Sequence, residues 1–105
     1  LLVGVPIGTS VATFVYAEGF SYLSTDPKAC VNCHVMQSHY NAWLNSTHRA
    51  VAACNDCHTS GNILNKYSQK AINGFLHSFA FTTGHFHEPI EIKIFNRKIA
   101  MSNCL

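Results

Sequence analysis

Hydrophobic and polar positions divide this chain into an uncharged opening run, a helical middle and an irregular tail. The run LLVGVPIGTSVATFVYA meets no charge before Glu18. As a helix it would cover about 25 Å, slightly short of a bilayer's hydrocarbon core. The chain opens on Leu, so the segment is expected to be longer at its start. A cleaved signal peptide needs a small-residue cleavage site, and Val15-Tyr16-Ala17 is a poor one. A buried core helix is the other alternative, but a single membrane anchor fits best. Gly4 and Gly8 add a weak small-xxx-small packing signal.

Beyond the anchor the periodicity turns helical. Ser24-Thr25-Asp26-Pro27 reads as a helix start, a capping hydroxyl or carboxylate followed by Pro in the first turn. Met36, Tyr40, Trp43 and Leu44 recur at helical spacing and predict a short helix from Val35 to about Ser46. Thr59-Ser60-Gly61-Asn62 is loop. A second helix is predicted from Ile63 to about Phe81, with Leu64, Tyr67, Ala71, Phe75 and Phe79 on one face. The opposite stripe carries Lys66, Lys70, Asn73 and His77. After Gly84 the pattern is irregular, and Ile90, Ile92 and Ile94 alternate with charges as in a short strand. The expected fold is mainly α with much irregular structure. Residues 1–19 form a transmembrane anchor, truncated at its start, and residues 20–105 a small outer domain, incomplete at its C-terminus.

Composition makes that small domain hard to stabilise by ordinary means. The chain has 105 residues, enough for one domain plus an appendage. So short a chain buries little apolar surface alone. Only 11% of residues are charged while seven are His, a ligand-rich profile, and the net charge of +2 gives no footprint for nucleic acid. The missing core has a candidate source. Cys30-Val31-Asn32-Cys33-His34 and Cys54-Asn55-Asp56-Cys57-His58 are two copies of Cys-x-x-Cys-His. Two thiols at that spacing add across the vinyl groups of one porphyrin, and the adjacent imidazole reaches the iron. Zinc is the main alternative, since two Cys-x-x-Cys pairs suit a tetrahedral site, but zinc needs no histidine after each pair. A thioredoxin-like dithiol would want a βαβ context that is not visible. Covalent haem c is therefore expected, which places the outer domain in the periplasm behind an uncleaved inner-membrane helix.

Each iron has two axial positions, and the motif histidine fills at most one. Met36, two residues past His34, is either helix packing or a thioether ligand that would raise the haem's potential. His39, His48, His77, His85 and His87 are the remaining candidates. Cys104 stands alone near the end. It reads as the first cysteine of another haem motif.

These blocks together resemble the NapC/NirT family of membrane-anchored cytochrome c quinol dehydrogenases, most closely its nitrite reductase small subunits. The likeness runs through FSYLSTDPKACVNCHVMQSHYNAW, STHRA, CNDCH, NKYSQKAINGF, HSFAFTTG and the final NC. It implies four haems in an intact chain, Cys104 binding one of the later ones. It further implies Met36 on the first iron with His34 standing aside, His58 as proximal ligand of the second haem, and His48 as distal ligand to a haem held further along. The family's quinol site pairs a Lys with an acidic residue seven positions later. Lys66 matches the first, while Asn73 departs from the second. Asn cannot take a proton, so either another group does, with Lys66, His77 and a propionate as candidates, or the register of the comparison shifts.

The implied function is oxidation of menaquinol or ubiquinol from the membrane quinone pool. Electrons would pass through the haems to a periplasmic multihaem reductase, cytochrome c nitrite reductase. A membrane-tethered shuttle with no quinol site is the alternative, as is service to another enzyme such as nitrate reductase. On denaturing gels the chain should keep covalent haem stain, and replacing Cys54 and Cys57 with Ala should remove one haem equivalent. Colour lost to acid-acetone would rule out covalent attachment.

Overall fold

The computed structural model describes residues 2–104. Helix α1 spans Gly4–Tyr16. Its side chains are uncharged, and Thr9 satisfies its hydroxyl within the helix by donating to the Val5 carbonyl at 2.8 Å. At 13 residues it is about 20 Å long. Among the described residues no helix is long and apolar enough to cross a membrane.

The helix ends in a sharp corner. Glu18 takes a left-handed backbone, φ 51°, and a 3-10 turn over Gly19–Leu23 follows. Phe14 and Phe20 meet edge to face across it at 5.0 Å. Gly19 lies so near the Phe14 ring that a Cβ there would run into it.

Helix α2, Pro27–Cys30, begins as the sequence predicts. Asp26 Oδ1 accepts from Lys28 N at 2.8 Å, and Ser24 Oγ accepts from Asp26 N at 3.1 Å. The expected helix over 35–46 is split: a 3-10 turn covers His34–Met36 and α3 covers Gln37–Leu44. A third 3-10 turn spans Thr47–Ala50. The second haem motif is itself helical, α4, Cys54–His58, with the Asp56 carboxylate accepting from Ala53 N at 2.8 Å. Helix α5, Ile63–Thr83, runs two residues beyond its expected end. Asn62 caps its start through Leu64 N at 3.0 Å, and Gly84 closes it at φ 73°, a left-handed conformation that glycine adopts without strain.

The alternation at Ile90, Ile92 and Ile94 does not become a strand; the described residues contain none. A lone extended segment has no neighbour to take its ladder hydrogen bonds. Instead Ile94 opens α6, Ile94–Asn103, which packs along α4.

No apolar side chain among the described residues is buried. The only buried ones are Gln69 and Lys70, at 5% and 6% exposure. Leu64, Phe75 and Phe79 on α5 stay largely exposed. The radius of gyration, 15.3 Å, exceeds the about 13 Å of a close-packed chain this long. Short polar bonds therefore carry local order. Asp26→Ala should cost about 1 kcal/mol at α2. Amide exchange at Lys28 should then quicken about fivefold while α5 is unchanged.

Candidate functional site

The first motif straddles the end of α2. Cys30 is half-buried and Cys33 exposed. A bond from Met36 N to the Cys33 carbonyl, 2.9 Å, tightens the following turn. With about three residues per turn, positions two apart point to different sides. His34 and Met36 thus diverge, and a porphyrin at this motif meets one of them at a time. His34 lines an apolar cavity of about 380 Å³ with Cys33, Val35, Phe81, Phe86 and Glu88. Met36 is half-buried outside that lining. The Phe81 and Phe86 rings are 4.6 Å apart.

Two further groups converge on this motif. The Tyr22 hydroxyl and His77 Nδ1 are 3.0 Å apart, and Tyr22 lies over α5 at Gly74. Burial, then Cys30 and Cys33, push the Tyr22 phenol's pKa up. Desolvation and the nearby Lys93 push His77 down. Lys70 is turned inward, its Nζ donating to the carbonyls of Leu23 at 3.3 Å and Ser24 at 2.8 Å. Burial, then the neighbouring Lys66, lower its pKa, with Cys30 acting against them.

Lys66 has different surroundings. It lines a cavity of about 300 Å³ with Asn55, Asp56, Thr59, Ser60, Gly61, Ile63 and Asn103, beside the second motif. Asn73 exchanges amide hydrogen bonds with Asn96, at 3.0 and 3.2 Å. The structure does not bring Lys66 and Asn73 together with the first motif.

On α4, Cys54 and Cys57 stand one turn apart and half-buried. Burial followed by the adjoining Cys30 raises the Cys54 pKa, and burial followed by Cys104 raises that of Cys57. Cys30 of the first motif thus neighbours Cys54 of the second, and Cys57 neighbours Cys104. The His58 imidazole is exposed, and desolvation and then His39 lower its pKa. Its carbonyl accepts from Gln69 Nε2 at 3.0 Å. His48 is exposed on the Thr47–Ala50 turn.

Sequence reasoning missed Tyr22, Gln69, Asn96 and Asn103. A neutral amide carries no spacing signature, and only the fold shows Gln69 buried and Asn96 and Asn103 bonded to it or to the α4 carbonyls, as only the fold brings Tyr22 to His77.

Among the described residues no three His, Cys, Asp or Glu side chains gather as a metal centre would need. The two thiol pairs do not form a zinc tetrahedron. They do fit covalent haem: unpaired cysteines at the motif spacing, an open imidazole at His58, and large apolar side chains with no protein core to cover them.

Comparison with known proteins agrees. The cytochrome c-type protein NrfH of Wolinella succinogenes is 41% identical over 101 residues, covering 91% of this chain and 57% of that protein. The cytochrome c nitrite reductase subunit NrfH of Nitratidesulfovibrio vulgaris is 32% identical over 108 residues, covering 99% of this chain and 64% of the relative. The chain therefore spans roughly three-fifths of the length of these relatives. A crystal structure of the cytochrome c nitrite reductase NrfHA complex bound to the inhibitor HQNO superposes with TM-score 0.71 at 27% identity, covering 99% of this chain and 70% of that one. Motifs, helix order and relatives lead to one assignment: the chain belongs to the NapC/NirT cytochrome c family, whose N-terminal region matches residues 1–103.

Proposed function

We propose that this chain is the membrane-proximal part of a quinol dehydrogenase that passes electrons to a periplasmic cytochrome c nitrite reductase. The Nitratidesulfovibrio relative, a cytochrome c nitrite reductase subunit, and the matching NrfHA complex support this partner. The observation that carries the quinol reading is Lys70, a cation with 6% exposure held by main-chain carbonyls beside the first motif.

An ammonium has three donors, and Leu23 and Ser24 take two of them. The third is available to a quinol oxygen. His77 lies seven residues on, the spacing that Lys66 and Asn73 share. The register moves one turn along α5 because Lys70 and His77 face the first motif, whereas Lys66 faces the second and Asn73 is tied to Asn96. Unlike Asn73, an imidazole takes a proton. When Nδ1–H donates to Tyr22 Oη, Nε2 is free to accept one from quinol. The lowered pKa keeps His77 neutral and ready at neutral pH.

Quinol loses two electrons and two protons, one proton to His77 Nε2 and the other to solvent at the exposed first motif. Bound haem would accept the electrons singly, held through Cys30 and Cys33 with Met36 or His34 as ligand, and a second group through Cys54, Cys57 and His58. The adjoining thiols of Cys30 with Cys54, and Cys57 with Cys104, support a path running from the first motif towards the partner. We read α1, with Leu2, Val5, Ile7 and Val11 all exposed, as part of a single-pass inner-membrane anchor delivering quinol from the bilayer. The rest would face the periplasm.

Lys70→Ala should lower kcat/KM for a menaquinol analogue about 10- to 100-fold, the scale of a hydrogen bond to a charged group. Lys66→Ala should change it little. Equal losses would mean general surface charge and no specific site. Because His77 works unprotonated and its pKa is lowered, quinol oxidation should fall only below the ordinary histidine range, and His77→Asn should remove that acid limb. In membranes, detergent should be needed for extraction, and the mature N-terminus should precede Glu18. Recovery in a soluble periplasmic fraction would remove the anchor and direct quinol access together.

A further inference from the structure

The C-terminal end of α4 is gripped in a way that the quinol reading does not require. A helix leaves its last carbonyls without intrahelical partners. Here consecutive ones meet side-chain amides: Asn103 Nδ2 donates to Cys57 O at 3.0 Å and to Thr59 O at 2.8 Å, and Gln69 Nε2 to His58 O at 3.0 Å. Gln69 does more. Its Oε1 accepts from Ser60 N at 3.2 Å, and its Nε2 also reaches Asn96 Oδ1 at 3.2 Å. Asn96 is in turn locked to Asn73. Gln69 is the least exposed side chain described, at 5%.

We propose that Gln69 is a positioning residue for the second haem site, fixing the His58 main chain while leaving the imidazole free for iron. The proposal rests on the reading that Cys54-Asn55-Asp56-Cys57-His58 carries a haem. The residue type follows from the bonds required. One side chain must donate to the His58 and Asn96 oxygens and accept from the Ser60 N–H, and a primary amide does both. A carboxylate would set oxygen against oxygen at two of the three contacts. An aliphatic side chain would leave all three groups unpaired and out of water. The contrast at His58 matters most. Its carbonyl is held from α5, yet its ring is exposed. Holding the main chain fixes where the His58 Cα–Cβ bond starts and points, and so the reach of its imidazole, leaving the ring itself to be oriented by what it binds.

The test uses the full-length, membrane-extracted cytochrome. Subtracting spectra and potentials of the Cys54→Ala/Cys57→Ala variant from wild type isolates the second haem's signals. Gln69→Leu should shift that haem's low-spin paramagnetic resonance and speed amide exchange at Thr59–Gly61 at least tenfold. Gln69→Glu, which sets a carboxyl oxygen against the His58 or Asn96 oxygen, should shift the same haem's resonance and midpoint potential and leave the first haem's unchanged. The exposed change Ser68→Ala on the same helix should do neither. If Gln69→Leu fails to assemble, Gln69→Glu decides. Unchanged resonance and potential in an assembled Gln69→Glu protein overturn the proposal, since a merely structural role lowers yield without moving either. If instead the double cysteine variant loses no haem, the reading of the second motif fails and Gln69 has nothing to position.

Discussion

The described chain buries no apolar side chain, and every other feature of its architecture answers to that constraint. Ordinary domains are held by apolar burial, which needs surface to hide behind. Here phenylalanines along α5 and valines along α1 face outward, and the only buried side chains are an amide and an ammonium. Local geometry instead comes from caps and side-chain-to-carbonyl bonds: Asp26 on α2, Asp56 on α4, Asn62 on α5, Lys70 on the turn before the first motif. Each contributes about 1 kcal/mol net. Porphyrins held covalently through Cys30, Cys33, Cys54 and Cys57, as proposed above, would be large apolar bodies placed where the chain most needs something to fold around. Thioether attachment also makes that core impossible to lose by dissociation.

The features read correctly from sequence were those whose chemistry is local. Cys-x-x-Cys-His is a covalent constraint and survives any fold. Asp26-Pro27 is a capping device that works within one turn, and the α5 periodicity is long enough to stand without help. Failures came where a partner decides. Ile90, Ile92 and Ile94 alternate like a strand, but a strand requires a neighbour, and α6 begins at the last of them. The α6 face that meets the protein comprises Asn96, Ile99, Ala100 and Asn103, helically spaced but half amide, so a hydrophobic template misses it. Lys66 and Lys70 are equivalent on any helical wheel of polar positions. Only the 3-10 turn over Gly19–Leu23, which packs on α5, shows that Lys70 is the covered one.

Helix α5 serves both haem motifs from different sides. Lys70 and His77 look towards the turn ahead of the first motif, while Lys66, Gln69 and Asn73 look towards α4 and α6. Ser24 ties the two sides together, its carbonyl accepting from Lys70 Nζ and from Asn55 Nδ2 of α4, at 2.8 and 3.2 Å. One peptide group thereby joins the turn ahead of the first motif to the helix that carries the second.

In the proposed reading, that division suits a reaction whose halves do not match. Quinol chemistry needs proton acceptors near water and an apolar approach for the substrate, while onward electron transfer needs rigid, closely spaced carriers. The first motif offers the former: exposed Cys33 and His34, an aromatic-lined cavity, and a titratable pair at Tyr22 and His77. The second offers the latter, with its carbonyls capped, its thiols flanked by Cys30 and Cys104, and no titratable side chain among the amides that hold it. Amides are the suitable choice there. They supply donors and acceptors without titrating, so the bonds to the Cys57, His58 and Thr59 carbonyls do not depend on pH.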